Sequence, residues 1–430
     1  MQSLSEMHKS VSIITRNAYR FIMAIALLWS SQGNCQVFHS LPSAVLAARV
    51  NSPFLKASGY NINMAESNLR TARLHTNPSL NNQTLILTDS KWYPKGTEIT
   101  NPLNRQVWWQ LTKPFVMPTT RHKRIELAEQ QIQLTQKGFS DNVRNFSSEV
   151  AHQWLNAWLL RNKLDLLSEA YTNIDSLVRI NRARLRNQVI TQTDLIRTQL
   201  LQDQYRLQLI NSEKEFRNEI QVLKFLMGVR DSVNVDTNAI IETVPVPESL
   251  DSLVNLAMRE RPDVQAAQMA VMVAESNIRY QKSLVVPQPE LGMIWNPQNT
   301  IPYLGFYGTL RIPLFDRNQG EIEKSKFMEL QAREGVRNAE LKLTTEIRAA
   351  YHTYLIEKEN LKKYEAMLSQ ADMVLDNVRY AYVKGGTTII DFLDAQRSWF
   401  DTRQLQLGAR LAYFQSYIQL LYVTGLINQL

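Results

Sequence analysis

The chain has 430 residues, 44% hydrophobic and 20% charged, with a formal net charge of +8 and a single Cys. That much apolar surface offsets ordering entropy and excludes intrinsic disorder, and one Cys excludes an internal disulfide framework. A mean hydropathy of −0.28, with no run of about 18 uncharged apolar residues, excludes a polytopic helical membrane protein. Its 14 Gly and 15 Pro are roughly half the usual share, so long helices are expected.

The first predicted element is an export signal at residues 1–35. Lys9, Arg16 and Arg20 precede an uncharged apolar run, Phe21 to Trp29, followed by Ser30, Ser31 and Gly33. The run is too short to span a bilayer core of ~30 Å as a helix. Cleavage before Gln36 is expected, with lipidation of Cys35 as the alternative. Removing the segment lowers the net charge from +8 to +6.

Next in chain order, residues 41–75 read as helix. A stretch rich in Pro, Asn and aromatics follows, holding alternating segments at about 78–90 and 105–115. In the second of these Val107, Trp109 and Leu111 alternate with Trp108, Gln110 and Thr112. No Pro then occurs between Pro118 and Pro245. From 119 to about 186 the chain predicts one helix of roughly 100 Å. A break near Arg186 to Ile190 turns it back, completing a hairpin over 119–228. Residues 229–247 form a linker.

The pattern then repeats. An offset of 209 pairs Ala65-Glu66-Ser67-Asn68 with Ala274-Glu275-Ser276-Asn277, and a gapless offset of 197 runs from Glu149 to Gly228. The chain is a tandem duplication, 36–228 and 248–430. The second copy predicts a helix at 248–283, strands at about 288–298 and 302–313, and a hairpin over 317–427. Leu361, Tyr364, Leu368, Ala371, Leu375, Val378 and Tyr382 step by 3 and 4 as a coiled-coil seam. Their equivalents are Leu164, Leu167, Tyr171, Ile174, Val178, Asn181 and Leu185. Gly385-Gly386 offers positive φ for the reversal. Strands of 8 to 11 residues suit a membrane barrel or an ordinary soluble β-subdomain; four cannot close a barrel, so if it is one, several chains must share it.

These features resemble the TolC family of outer-membrane efflux channels, over essentially all of 41–428. The sharpest residues are Tyr382 to Ala395 (YVKGGTTIIDFLDA) and Gln396, with Asn51-Ser52-Pro53, Asn77-Pro78 and Gly425. The resemblance implies a mainly α fold with a small β part. Duplicated long antiparallel hairpins would form a periplasmic α-barrel, and four strands per chain would enter a trimeric 12-stranded outer-membrane β-barrel. It implies a homotrimer in Gram-negative outer-membrane lipid, serving as exit duct for a periplasmic adaptor and an inner-membrane pump of the resistance-nodulation-division type. The likeness is nearest to partners of heavy-metal pumps, with metal cations or drugs as cargo.

Residue by residue, Asp391 and Asp394 match gate aspartates, and Thr193, Asp194 and Tyr382 match linking residues of the gate. The tips Gln188, Val189, Ile190 and Gly385, Gly386, Thr387 would dock the adaptor. Thr387 stands where the best-known members carry an arginine, so the expectation is a more weakly held closed state, or one held by Arg186 or Lys384 instead. On the residues alone, Asp391 and Asp394 also suit a helix start, and the tips are hairpin turns.

Catalysis has no motif here: no phosphate-cradling loop, and six His at 8, 39, 75, 122, 152 and 352 with no ligand spacing. No cofactor, metal site or enzyme activity is expected. Nucleic acid is not expected either, because basic residues interleave with acidic ones; Arg121 to Arg124 is the densest patch. The alternatives are a type I protein-secretion channel and a non-channel periplasmic coiled-coil scaffold.

Overall fold

A computed structural model describes residues 37–247, 249–298 and 301–430. The export signal and Cys35 lie outside the described residues. The duplication is visible as two copies of one path. In the first, α1 (Leu41–Asn51) and α2 (Pro53–Arg73) lead to strands β2 (Ser79–Ile86) and β3 (Arg105–Pro114). Long α3 (Pro118–Arg186) and α4 (Gln192–Met227) follow. In the second, α5 (Leu250–Glu260) and α6 (Pro262–Ser283) lead to β5 (Pro289–Gln298) and β6 (Ile301–Leu310). Then come α7 (Gln319–Lys384) and α8 (Ile389–Thr424). A small parallel pair, β1 (Val37–His39) with β4 (Val233–Val235), ties the start of the chain to the inter-repeat linker.

The 69 residues of α3 and 66 of α7 each run about 100 Å. Such a helix exceeds any single partner, so its halves pack differently. The upper parts join α2 and α6 in a wall ordered α2–α3–α6–α7, and the lower parts pair α3 with α4 and α7 with α8. Of the heptad seam, Leu167, Ile174, Val178, Asn181, Leu368 and Tyr382 are buried and the remaining positions are half-buried.

Two apolar cores result. The mid-height core gathers α1, α5 and the chain's end around Trp154 and Trp158, both fully buried. The Trp154 indole donates to the His39 carbonyl (2.9 Å). The lower core, around Leu167, Ile174, Tyr205, Trp399 and Phe400, holds the two hairpins together. Conformation at the returns repeats too. Both α4 and α8 end on a left-handed Gly, Gly228 (φ 65°) and Gly425 (φ 81°).

The four strands form one antiparallel sheet ordered β2–β3–β5–β6, so β3 and β5 pair across the repeats. Leu80, Leu111, Met293 and Phe306 share one row and one face, and all are exposed. Trp109, Trp295 and Leu304 form the next row of that face. The opposite face carries Asn81, Gln110, Ile294 and Gly305 in register. On it, the Tyr307 ring lies over Gly292 and its hydroxyl bonds Thr112. The sheet therefore has an apolar side, a mainly polar side and two unpaired edges. Among the described residues no helix is long and apolar enough to cross a membrane.

Candidate functional site

The features singled out from sequence converge at the lower ends of the hairpins. At the first tip α3 stops at Arg186, and Gln188 takes a left-handed turn (φ 59°) that leaves Val189 exposed. At the second, Gly385 takes that conformation (φ 81°), and the Gly386 N–H donates to the Ala381 carbonyl (2.8 Å). Thus only one tip uses glycine. The other puts a glutamine in the left-handed region, at a cost of ~1 kcal/mol.

The returning helices start alike. Thr191 caps α4, its hydroxyl accepting the Asp194 N–H while the Asp194 carboxylate accepts the Thr191 N–H (3.1 Å) and hydroxyl (2.7 Å). Thr388 and Asp391 form the same reciprocal box on α8, and the Thr387 hydroxyl also donates to Asp391 (2.7 Å). Bonds from the Thr388 and Thr387 hydroxyls, then the Thr388 N–H, hold the Asp391 carboxyl below the usual carboxylate range. Asp391 is thus a helix cap within its own chain. Asp394, one turn on, is exposed and has no hydrogen bond or ion pair among the described residues; Thr193 is exposed as well.

Tyr382 is the hub. Its hydroxyl donates to Asn181 Oδ1 (2.7 Å), and Asn181 Nδ2 donates to Thr198 Oγ1 (3.0 Å). Its ring stacks on Phe392 at 5.5 Å between centroids. The Arg184 guanidinium lies 4.6 Å from the same ring centroid and donates to the Val383 carbonyl (3.1 Å). Helices α3, α7 and α8 therefore meet at one buried side chain, and Asn181 extends the network to α4. Within the chain Tyr382 reaches Asn181, not Asp194. The cation holding the tips together is Arg184; Arg186 and Lys384 make no ion pair with any described residue, and Lys384 sits over Tyr380.

Sequence reasoning missed Asn181 and Arg184 as a pair. Asn181 did carry a signal: it is a polar residue in an otherwise apolar or aromatic seam, and a buried seam Asn fixes register. The basic patch has another use. Arg121 donates to the Arg73 carbonyl, and Arg124 to those of Ala72 and Leu74, so both cap the C-terminus of α2.

Where the repeats meet at mid-height, Arg144 and Arg261 are almost fully buried. Arg261 bonds Asp263 (2.6 Å) and Glu346 (2.8 Å), and Arg144 bonds Asp141 (2.7 Å) and reaches Asp263 (3.4 Å). Burial raises the Asp263 carboxyl, but the Arg261 hydrogen bond and both guanidinium charges outweigh it, and the net shift is downward. Among the described residues no group of three or more His, Cys, Asp or Glu could hold a metal ion.

Known proteins share this fold. The family model described as "Outer membrane efflux protein" matches residues 253–426. The cation efflux system protein CusC of Escherichia coli K12 is 23% identical over 211 residues, 45% of this chain and 44% of CusC. The alignment thus spans less than half of that relative. A crystal structure of CusC superposes with a TM-score of 0.76 at 19% identity, covering 91% of this chain and 93% of that one. The CmeC outer membrane channel of Campylobacter jejuni gives 0.73 at 13% identity, over 90% and 85%. Residues 253–426 thus match the outer membrane efflux protein family, and the whole chain has the fold of the outer-membrane channels CusC and CmeC.

Proposed function

We propose that three copies of this chain form a passive exit duct through the outer membrane. The observation that carries the reading is the sheet: four strands, one apolar face and two unpaired edges. In lipid every backbone donor and acceptor must be paired, so an open sheet has to close by recruiting further copies. Three sheets would make twelve strands, continued below by the hairpins. Planar-bilayer recording of the purified protein is expected to show discrete channel openings, and gel electrophoresis a heat-sensitive trimer. A soluble monomer without conductance would leave only the periplasmic scaffold.

The duct would serve an inner-membrane pump of the resistance-nodulation-division type through a periplasmic adaptor. The adaptor would dock at Gln188, Val189 and Ile190 and at Gly385, Gly386 and Thr387. The likeness to a cation efflux protein favours metal cations as cargo. A deletion strain sensitive to heavy-metal cations supports that cargo; loss of a secreted protein instead points to the protein-secretion alternative.

At the tips, Asp391 and Asp394 of three copies would set six carboxylates around the opening, a cation-selective ring. Tyr382, with Asn181 and Arg184, would hold each protomer's hairpins in the closed arrangement, and Thr193 and Asp194 would face the neighbouring copy. Asp391→Ala with Asp394→Ala is expected to abolish block by divalent cations. Unchanged block would remove the ring from the mechanism.

A further inference from the structure

Four junctions join the helices to the sheet, and each exposes a large apolar side chain: Leu74, Phe115, Val286 and, most of all, Phe315, which is 92% exposed. Ile312 and Leu314 beside Phe315 are exposed too. Large apolar side chains at four separate turns are not one packing defect repeated. All four stand at the strand ends nearest the helices, where the Phe115 N–H still donates to the Pro289 carbonyl (2.9 Å).

Cations stand among them. Lys113 follows Trp109 and Leu111 on the same face by alternation, and its ammonium lies 5.6 Å from the Phe115 ring centroid. Lys113, Lys282 and Arg317 are exposed and make no ion pair among the described residues. The nearby carboxylates are already engaged: Glu290 faces Arg311 (3.8 Å), and Asp316 accepts the Asn318 N–H (2.9 Å). Unpaired cations beside exposed apolar side chains complement a ligand with phosphate at one end and hydrocarbon at the other.

We infer that this collar binds anionic phospholipid of the membrane's periplasmic leaflet. Acyl chains lie against Leu314, Phe315 and Phe115, and phosphates meet Lys113, Lys282 and Arg317. The inference rests on the sheet lying in the bilayer, the reading given above.

Native mass spectrometry of the detergent-purified trimer, offered equal phosphatidylglycerol and phosphatidylethanolamine, tests it. Retention of the anionic lipid is expected to be favoured about fivefold, the effect of roughly one basic contact per lipid. Lys113→Gln, Lys282→Gln and Arg317→Gln together are expected to erase that preference. Equal retention by the natural protein, or a preference that survives the triple substitution, overturns the proposal. Phe315→Cys carrying a nitroxide should be open to oxygen and shielded from a water-soluble nickel chelate. Shielding from both would mean that a second copy covers the collar, and also overturns it. Conductance recorded on the same preparations separates the readings, since a conducting channel without lipid preference sinks only this one.

Discussion

At the residue scale, the tip rests on an uncharged hydrogen bond beside one cation, Arg184. The Tyr382 hydroxyl is buried and its acceptor, Asn181, is fully buried. Tyr382→Phe deletes one hydrogen bond and leaves an amide oxygen without a donor, a loss of about 1 kcal/mol or more. If closure depends on that bond, the open fraction should rise about fivefold, measured as open probability in planar bilayers; an unchanged value would remove Tyr382 from the gate. Asp263 behaves differently because it carries charge. Its folded carboxyl titrates below the unfolded one, so its contribution to stability is present above about pH 4 and is lost as pH falls through the depressed value. Asp263→Asn leaves two buried guanidinium groups short of a partner, at a cost of about 3 kcal/mol near neutrality. Thermal unfolding of both proteins should show a gap in midpoint at pH 7 that narrows below pH 4. A gap independent of pH would mean that the loss is one of packing.

At the element scale, the two repeats share a design but not its tolerances. Gly228 and Gly425 both end a returning helix in the left-handed region, yet their surroundings differ. A methyl at Gly228 would come within 2.9 Å of the Asn51 carbonyl oxygen, whereas at Gly425 the nearest atom is 3.5 Å away. Both alanine variants bear the ~1 kcal/mol left-handed penalty; Gly228→Ala adds a backbone clash and should be the less stable by at least another ~1 kcal/mol, read by chemical denaturation. The long helices were legible because no Pro falls between Pro118 and Pro245, and the strands because apolar and polar residues alternate in them. The tip was legible only in part. The sequence pattern marks Tyr382 and the Thr-x-x-Asp caps, but Arg184 acts on the carbonyl of Val383, nearly two hundred residues away. A bond between a side chain and a distant backbone oxygen leaves no residue pattern. The pairing of β1 with β4 was hidden likewise, since three-residue strands carry too little alternation to read.

At the scale of the whole molecule, everything proposed depends on which medium meets each face of the sheet. Phe306 lies on the apolar face at 76% exposure, and Tyr303 belongs to the opposite face by alternation. In water the two positions would tolerate a charge about equally. In a closed barrel they would not, because one meets hydrocarbon and the other an aqueous lumen. Phe306→Arg is expected to cost about 2–4 kcal/mol in lipid and to reduce the heat-sensitive trimer recovered from outer membrane. Tyr303→Arg should leave the trimer intact and change its conductance, since a new charge would line the pore. The long helices pack through their own cores, so the soluble helical signal of both variants should persist. Equal effects of the two substitutions on trimer yield would show that the faces are not distinguished by lipid, and the exit duct would fall with that distinction.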